Sequence, residues 1–241
     1  MGAAGGLGPP GGMGAAGGLG AGGSGGIPSV DLDAGLVGHY TLDEATGLVA
    51  YDSATTDGAQ DGKLVGGPVW GAGKLLSGLA FDGVDDYVEL GDSGFVGNKP
   101  SFTIALWFAT ALSTDYRTLY IERNGGAGSA RVNVQLWNGG VAVEMGDDAD
   151  QYVYVDGPVT AADNVWHHIA LVESSTASRI LYFDGVAVGT ETTALGTLTL
   201  TARRLGGKTN DTRYFPGTID EVRIYDRALS PAEIEALFNP G

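Results

Sequence analysis

Carboxylates dominate the side chains of this sequence that could do chemistry: 29 Asp and Glu stand against 13 Lys and Arg, with three His and no Cys. Lacking thiols, the chain forms neither disulfides nor thiolate-bound zinc or iron–sulfur centres, which leaves oxygen as the ligand atom it offers a metal. Asp82, Asp85 and Asp86 make one acidic turn, and Asp147, Asp148 and Asp150 another. Solvated turns are the plainer reading of both, with a rim metal or sugar site as the alternative. Glycoside hydrolysis needs two carboxyls about 5 to 10 Å apart, a spacing that alternate residues on one strand meet. Asp220 and Glu221 are neighbours, so on a regular strand they face opposite ways and make no such pair. His39 stands alone, and His167 and His168 follow Trp166 with no His-x-x-x-His spacing or serine elbow beside them. This inventory predicts hydrogen-bonded structural histidines and a protein that is not an enzyme.

The formal charge of −16 arises after the N-terminal stretch, Asp31 being the first charged residue. Such a surface makes nucleic acid and anionic membrane poor partners. No run of about eighteen apolar residues marks a membrane span, and the Gly-rich start lacks the basic and apolar regions of a secretion leader, so any leader is expected to be already removed. What the start does carry is a period of three: Gly2, Gly5, Gly8, Gly11, Gly14, Gly17, Gly20, Gly23 and Gly26 open nine Gly-X-Y triplets. A triple helix demands that period because only a hydrogen fits at its axis. With prolines confined to Pro9, Pro10 and Pro28, a free helix of this length would be marginal. Residues 1–28 are therefore expected to be an assembly arm ordered by packing with copies of itself, with a flexible Gly-rich linker as the alternative. Extended at 3.1 Å per residue it would reach about 80 Å.

The rest divides into a linker over 29–35 and one domain over 36–241, long enough to bury a substantial core. Short alternating runs rich in β-branched and aromatic residues, punctuated by Gly, Asn and Asp, predict an all-β domain of two packed antiparallel sheets. Strands are expected near 36–42, 78–81, 86–90, 101–108, 118–122, 131–137, 141–145, 151–155, 165–172, 179–183, 187–191, 197–202 and 218–225. Ser230, Pro231 and Glu233 form a capping box and N1 proline that predict one short C-terminal helix carrying Ile234, Leu237 and Phe238. Trp107 and Trp166 sit in apolar strands and belong in the core, whereas Trp70, Trp137, Tyr152 and Tyr154 fall where an exposed aromatic platform could form.

Several ordered motifs resemble the laminin-G-like, concanavalin A-like jelly roll: Phe81-Asp82-Gly83-Val84-Asp85-Asp86-Tyr87-Val88, Phe102 to Phe108, Trp166 to Val172, Leu181 to Gly185, Gly217 to Tyr225 and Arg227 to Ile234. The resemblance implies a structural calcium tying an early acidic loop to the last strand, with Asp52 and Asp61 in the loop and Asp220 in the strand. Here the loop is longer than the family's by Thr55-Thr56. The Glu-x-Asp-x-x-Glu signature of the related glucanases is missing. The functional expectation is a non-enzymatic extracellular or surface structural protein that self-assembles through its arm into a trimeric stalk or filament. The alternative is a calcium-dependent carbohydrate-binding or adhesion module, with a glycan or an extracellular protein as partner and the arm as a tether.

Overall fold

The computed structural model describes residues 1–2, 30–54, 60–91, 94–112, 114–125, 129–157, 159–207 and 213–240. Gly2 is exposed; Gly5, Gly8, Gly11, Gly14, Gly17, Gly20, Gly23 and Gly26, and with them the arm, lie outside the described residues.

The described residues form sixteen strands and one helix. The first sheet holds β1 (Leu36–Tyr40), β4 (Val69–Ala72), β5 (Ser77–Asp82), β7 (Phe102–Ala109), β12 (His167–Ser175), β13 (Ser178–Phe183), β14 (Val186–Glu191) and β16 (Pro216–Tyr225). Its order is β14-β13-β12-β7-β16-β5-β4, with β1 paired to the far half of β16. The second sheet holds β2 (Val49–Ala50), β3 (Gly62–Val65), β6 (Tyr87–Glu89), β8 (Tyr116–Arg123), β9 (Arg131–Trp137), β10 (Gly140–Gly146), β11 (Tyr152–Gly157) and β15 (Ala202–Leu205), in the order β11-β10-β9-β8-β15-β6-β3-β2. All pairings between named strands are antiparallel, as the alternating pattern predicts.

The inner faces meet through residues at every second position: Phe102, Ile104, Leu106 and Phe108 on β7 pack in one cluster with Val132, Val134 and Leu136 on β9 and Val141, Val143 and Met145 on β10. Two charges also lie on the inner side. Glu122 stands opposite Arg203 in the β8–β15 register, accepts the Phe95 and Val96 N–H groups and the Tyr120 hydroxyl, and is held above the ordinary carboxylate range by burial. Arg203 lies over the Phe95 ring at 3.8 Å and donates to the Gln60 side chain.

Helix α1 (Pro231–Phe238) lies on the outer side of the first sheet, where Ile234 and Leu237 join Ala105, Ala170, Val172, Tyr182 and Tyr225 in a second cluster. The expected capping box is present, and Glu233 also accepts from Arg227 at 2.6 Å.

Four expectations are corrected. Strands β2, β3 and β4 were not foreseen, because Val49-Ala50, Gly62-Lys63-Leu64-Val65 and Val69-Trp70-Gly71-Ala72 are too short and Gly-rich for alternation to register. The strand expected at 197–202 begins only at Ala202. Side chains capture the backbone donors before it: Asp147 takes Gly196 N–H, Asn98 takes Leu198 N–H and Asp148 takes Thr199 N–H. Trp166 precedes β12, half-buried, and does not lie inside a core strand. Asp220 and Glu221 do not simply alternate: the β7–β16 register shifts between Asp220 and Arg223, and Glu221 takes φ 49°.

Beside the sandwich edge Arg179 is 1 % exposed and grips the Glu173 carboxylate with two bonds, 2.7 and 3.1 Å. Removing one partner of such a pair leaves a buried charge uncompensated. Glu173→Ala is expected to lower unfolding free energy by about 3 kcal/mol in urea titrations, and a loss under about 1 kcal/mol would contradict this account.

Candidate functional site

The period of two that buries Val132, Val134 and Leu136 turns Arg131, Asn133, Gln135 and Trp137 to the outer face of the second sheet. Register extends these into files across the strands. Arg204, Ile121, Asn133, Glu144 and Tyr154 form one file; Thr118, Gln135, Ala142 and Asp156 another; Arg123, Arg131, Gly146 and Tyr152 a third. Tyr116 opposes Trp137 and the two rings stack at 5.0 Å. Trp137, Ala142 and Asp156, with Asn138, Val159 and Thr160, line an open recess of about 450 Å³ at one end of this face.

The centre of the face is polar and buried. Asn133 and Gln135 are both 0 % exposed, and Asn133 Nδ2 donates to Gln135 Oε1 at 2.7 Å. That bond leaves Asn133 Oδ1 and Gln135 Nε2 buried with no hydrogen-bond partner. Exchanging O and N in both amides would still leave one acceptor and one donor, so the unmet pair does not depend on how the amides are oriented. Beside it Glu144 accepts from Arg131 at 2.5 Å and from the Tyr154 hydroxyl at 3.2 Å, while Arg131 lies over the Tyr152 ring at 4.4 Å. Gly146 permits this: a Cβ there would meet the Tyr152 ring at 2.5 Å. Trp137, Tyr152 and Tyr154 were expected as platform candidates. Asn133, Gln135 and Arg131 were not singled out, although the strict alternation Arg131-Val132-Asn133-Val134-Gln135-Leu136-Trp137 carries the signal.

The three expected calcium ligands are placed less simply. Asp61 accepts Asp52 N–H at 3.0 Å, so these two are brought together. Asp52 itself accepts the N–H groups of His39, Ala54 and Gln60. Asp220 accepts those of Leu75 and Glu221. Among the described residues the three carboxylates that gather within 4.8 Å of one another are Asp82, Asp85 and Asp86, not Asp52, Asp61 and Asp220. The acidic turn at 82–86 is closed on itself, Asp86 accepting Asp82 N–H and Asp82 accepting those of Val84 and Asp85.

On the outer face of the first sheet His168, Trp107 and Asp220 form one file, with Lys74 4.0 Å over the Trp107 ring and Phe238 stacked on it at 5.5 Å. Trp107 and His168 help line a cavity of about 270 Å³ with Glu221, Arg223 and Leu237. Glu221 pairs with Arg223 at 3.0 Å and His39 at 3.4 Å, which hold it below the ordinary range against the upward pull of burial. His167, facing the other way, stacks on Phe183 and bonds Asp184 and Asp163. It is the hydrogen-bonded histidine expected; His168 instead has Nδ1 buried without a partner.

Fold and site together define a lectin-like β-sandwich: two antiparallel sheets, one outer face under a helix and the other lined with amides, arginines and aromatic rings. The chain belongs to the concanavalin A-like lectin/glucanases superfamily, whose Laminin_G_3 family model matches residues 82–235. It is 27% identical over 150 residues to neuronal pentraxin-2 of Cavia porcellus, a match covering 58% of this chain and 34% of that protein. The chain thus spans about a third of that relative's length. The binding domain of Paraclostridial Mosquitocidal Protein 1 superposes with a TM-score of 0.73 at 17% identity, over 87% of this chain and 53% of that one. Domain 4 of AbnA, a GH43 extracellular arabinanase from Geobacillus stearothermophilus solved with arabinotriose, superposes at 0.69 and 22% identity, over 86% of this chain and 99% of that domain. Among the described residues no helix is long and apolar enough to cross a membrane.

Two groups in the His168 file oppose each other in pH. Burial, with Arg223 and Lys74 nearby, lowers His168 to about 3, so between about 3 and 6.5 the unfolded chain takes a proton the folded one refuses, and stability rises with pH. Burial raises Asp220 to about 7, so between about 4 and 7 the folded chain keeps a proton the unfolded one releases, and stability falls with pH. In chelator, Asp220→Asn should uncover the histidine slope of about 1.4 kcal/mol per pH unit between pH 6.5 and 5, and His168→Gln should tilt the curve the other way. Parallel curves for both variants in urea titrations would refute the assignment.

Proposed function

We propose that the protein is a non-enzymatic carbohydrate-binding module acting outside the cell, and that its site is the outer face of the second sheet. The observation that carries this reading is the open recess at one end of this face, where Trp137, stacked on Tyr116, stands with Asn138, Asp156 and Thr160. Aromatic rings accept the apolar face of a sugar ring, and the polar side chains of Asn138, Asp156 and Thr160 offer partners to its hydroxyls. The arabinotriose complex of the arabinanase domain and the ganglioside interaction of a botulinum neurotoxin with the same fold support this reading by analogy of fold.

In this proposal the triplet arm multiplies the module: copies joined through Gly5 to Gly26 would convert weak single-site binding into avidity. A glycan array with the full chain should show a preferred oligosaccharide whose affinity falls at least about tenfold in Trp137→Ala with the thermal midpoint nearly unchanged. Deletion of residues 1–28 should leave affinity for the free oligosaccharide intact and weaken retention on a dense glycan surface about a hundredfold. No glycan bound by the full chain would reject the reading, and equal retention after deletion would reduce the arm to a tether.

A structural calcium at the 52–61 loop is a separate proposal. It is supported by the meeting of Asp52 with Asp61. The three carboxylates as arranged do not converge on one ion, so Asp52 and Asp61 with loop carbonyls would be its holders. Chelator should lower the thermal midpoint by several degrees and Asp52→Asn should abolish that difference; an unchanged midpoint would dismiss the metal.

A further inference from the structure

We propose that the ligand of the Trp137 recess is a cationic glycan, an amino sugar chain whose ring-borne ammonium groups are held by Asp156 while a ring stacks at Trp137. The proposal rests on the carbohydrate-binding reading and adds the class of glycan.

The register of the strands leaves Asp156 uncompensated. It faces outward on β11 with Tyr152 and Tyr154, and all three are exposed. Ala142 stands directly opposite it, and the diagonal positions on β10 are Gly140 and Glu144. Glu144 is itself acidic and is already taken by Arg131. On its other side β14 passes so close that a Cβ at Gly189 would meet the Asp156 carbonyl oxygen at 2.7 Å. That strand, Val186-Ala187-Val188-Gly189-Thr190-Glu191, carries no cation. Among the described residues the Asp156 carboxylate has neither an ion pair nor a hydrogen bond. Asp52, Asp82 and Asp147, in contrast, accept backbone N–H groups that their turns require.

Among the described residues Asp156 is also the one charged side chain lining the recess. Trp137 lines it too, its ring fixed by the stack on Tyr116 at 5.0 Å, while the Arg213 guanidinium lies over Tyr116. Strand and residue spacings separate the attachment points of Trp137 and Asp156 by about 12 Å. Gly140 and Ala142 lie between them and keep the floor of the recess low. A sugar ring seated at Trp137 then brings an amino group of the same ring or the next one to Asp156.

The charge of the site selects among glycans. An anionic chain is opposed by Asp156 nearby and by the −16 of the whole protein at longer range. A neutral chain would desolvate the carboxylate with hydroxyl donors alone, whereas an ammonium both donates and cancels the charge, which makes the stronger bond. Trp137 accepts the apolar face of a ring, and Asn138 and Thr160 offer neutral partners to hydroxyls, which favours an amino sugar over a basic peptide.

The test is titration calorimetry of the full chain, at mildly acidic pH, with glucosamine oligosaccharides, N-acetylglucosamine oligosaccharides of the same length, cello-oligosaccharides and oligolysine. The variants are Asp156→Asn and Asp85→Asn, the second removing an equal charge from the β5–β6 turn. The expected result is at least about tenfold tighter binding of glucosamine chains than of either neutral chain, weakened by added NaCl. Asp156→Asn should abolish this preference at an unchanged thermal midpoint, and Asp85→Asn should leave it in place. Neutral chains bound as tightly as the cationic ones would overturn the inference and leave the carbohydrate reading standing. A preference that survives Asp156→Asn, one lost equally in Asp85→Asn, or oligolysine bound as tightly as the amino sugars would also overturn it. Failure of every oligosaccharide to bind would overturn both readings.

Discussion

The two-residue period of the strands, imposed by burial of one face of each sheet, is the constraint from which the rest of this molecule follows. Val132, Val134 and Leu136 must enter the core, and Arg131, Asn133, Gln135 and Trp137 then have no choice of side. Because β10 and β11 obey the same rule in register, Glu144, Ala142, Tyr154 and Asp156 arrive beside them. A one-residue slip in β9 would place two amides and a guanidinium in the apolar interior, so the packing energy of the core also maintains the geometry of the outer face.

The two outer faces have taken different roles. On the first sheet small residues, Ala105 and Ala170, leave room for α1 to settle, and Ile234 and Leu237 complete a second apolar cluster. That face is structural over most of its area, and its polar remainder around His168 and Asp220 is buried rather than presented. On the second sheet no described helix covers the outer face, and its large side chains pack against one another through stacking and charge-assisted bonds. Arginine fits this setting because its plane stacks on tyrosine while its edge still donates.

Charge is distributed with the same asymmetry. Many carboxylates serve backbone donors in turns, as Asp52, Asp82 and Asp147 do, and so shape loops rather than gather at one place. The arginines, in contrast, are used inside the fold: Arg179 on Glu173, Arg203 over Phe95, Arg223 on Glu221. A strongly acidic chain thereby keeps several of its few cations at points where they organise neighbouring elements.

Alternation, turn residues and the Ser230–Glu233 cap were enough to predict two antiparallel sheets, most strands and the C-terminal helix, because these features act over a few residues of backbone. The outward direction of Asn133 and Gln135 was equally local. Their burial was not, since it depends on which side chains of β8, β10 and β15 lie around them, and the β8–β15 pairing joins residues near 122 to residues near 203. The bulge that sets Asp220 and Glu221 apart, the side-chain capture of backbone donors over 196–199, and the failure of Asp220 to meet Asp52 and Asp61 are likewise products of long-range packing. Local sequence determined what each strand would show to either side; tertiary structure decided which of those side chains meet, because register between distant strands answers to the core as a whole.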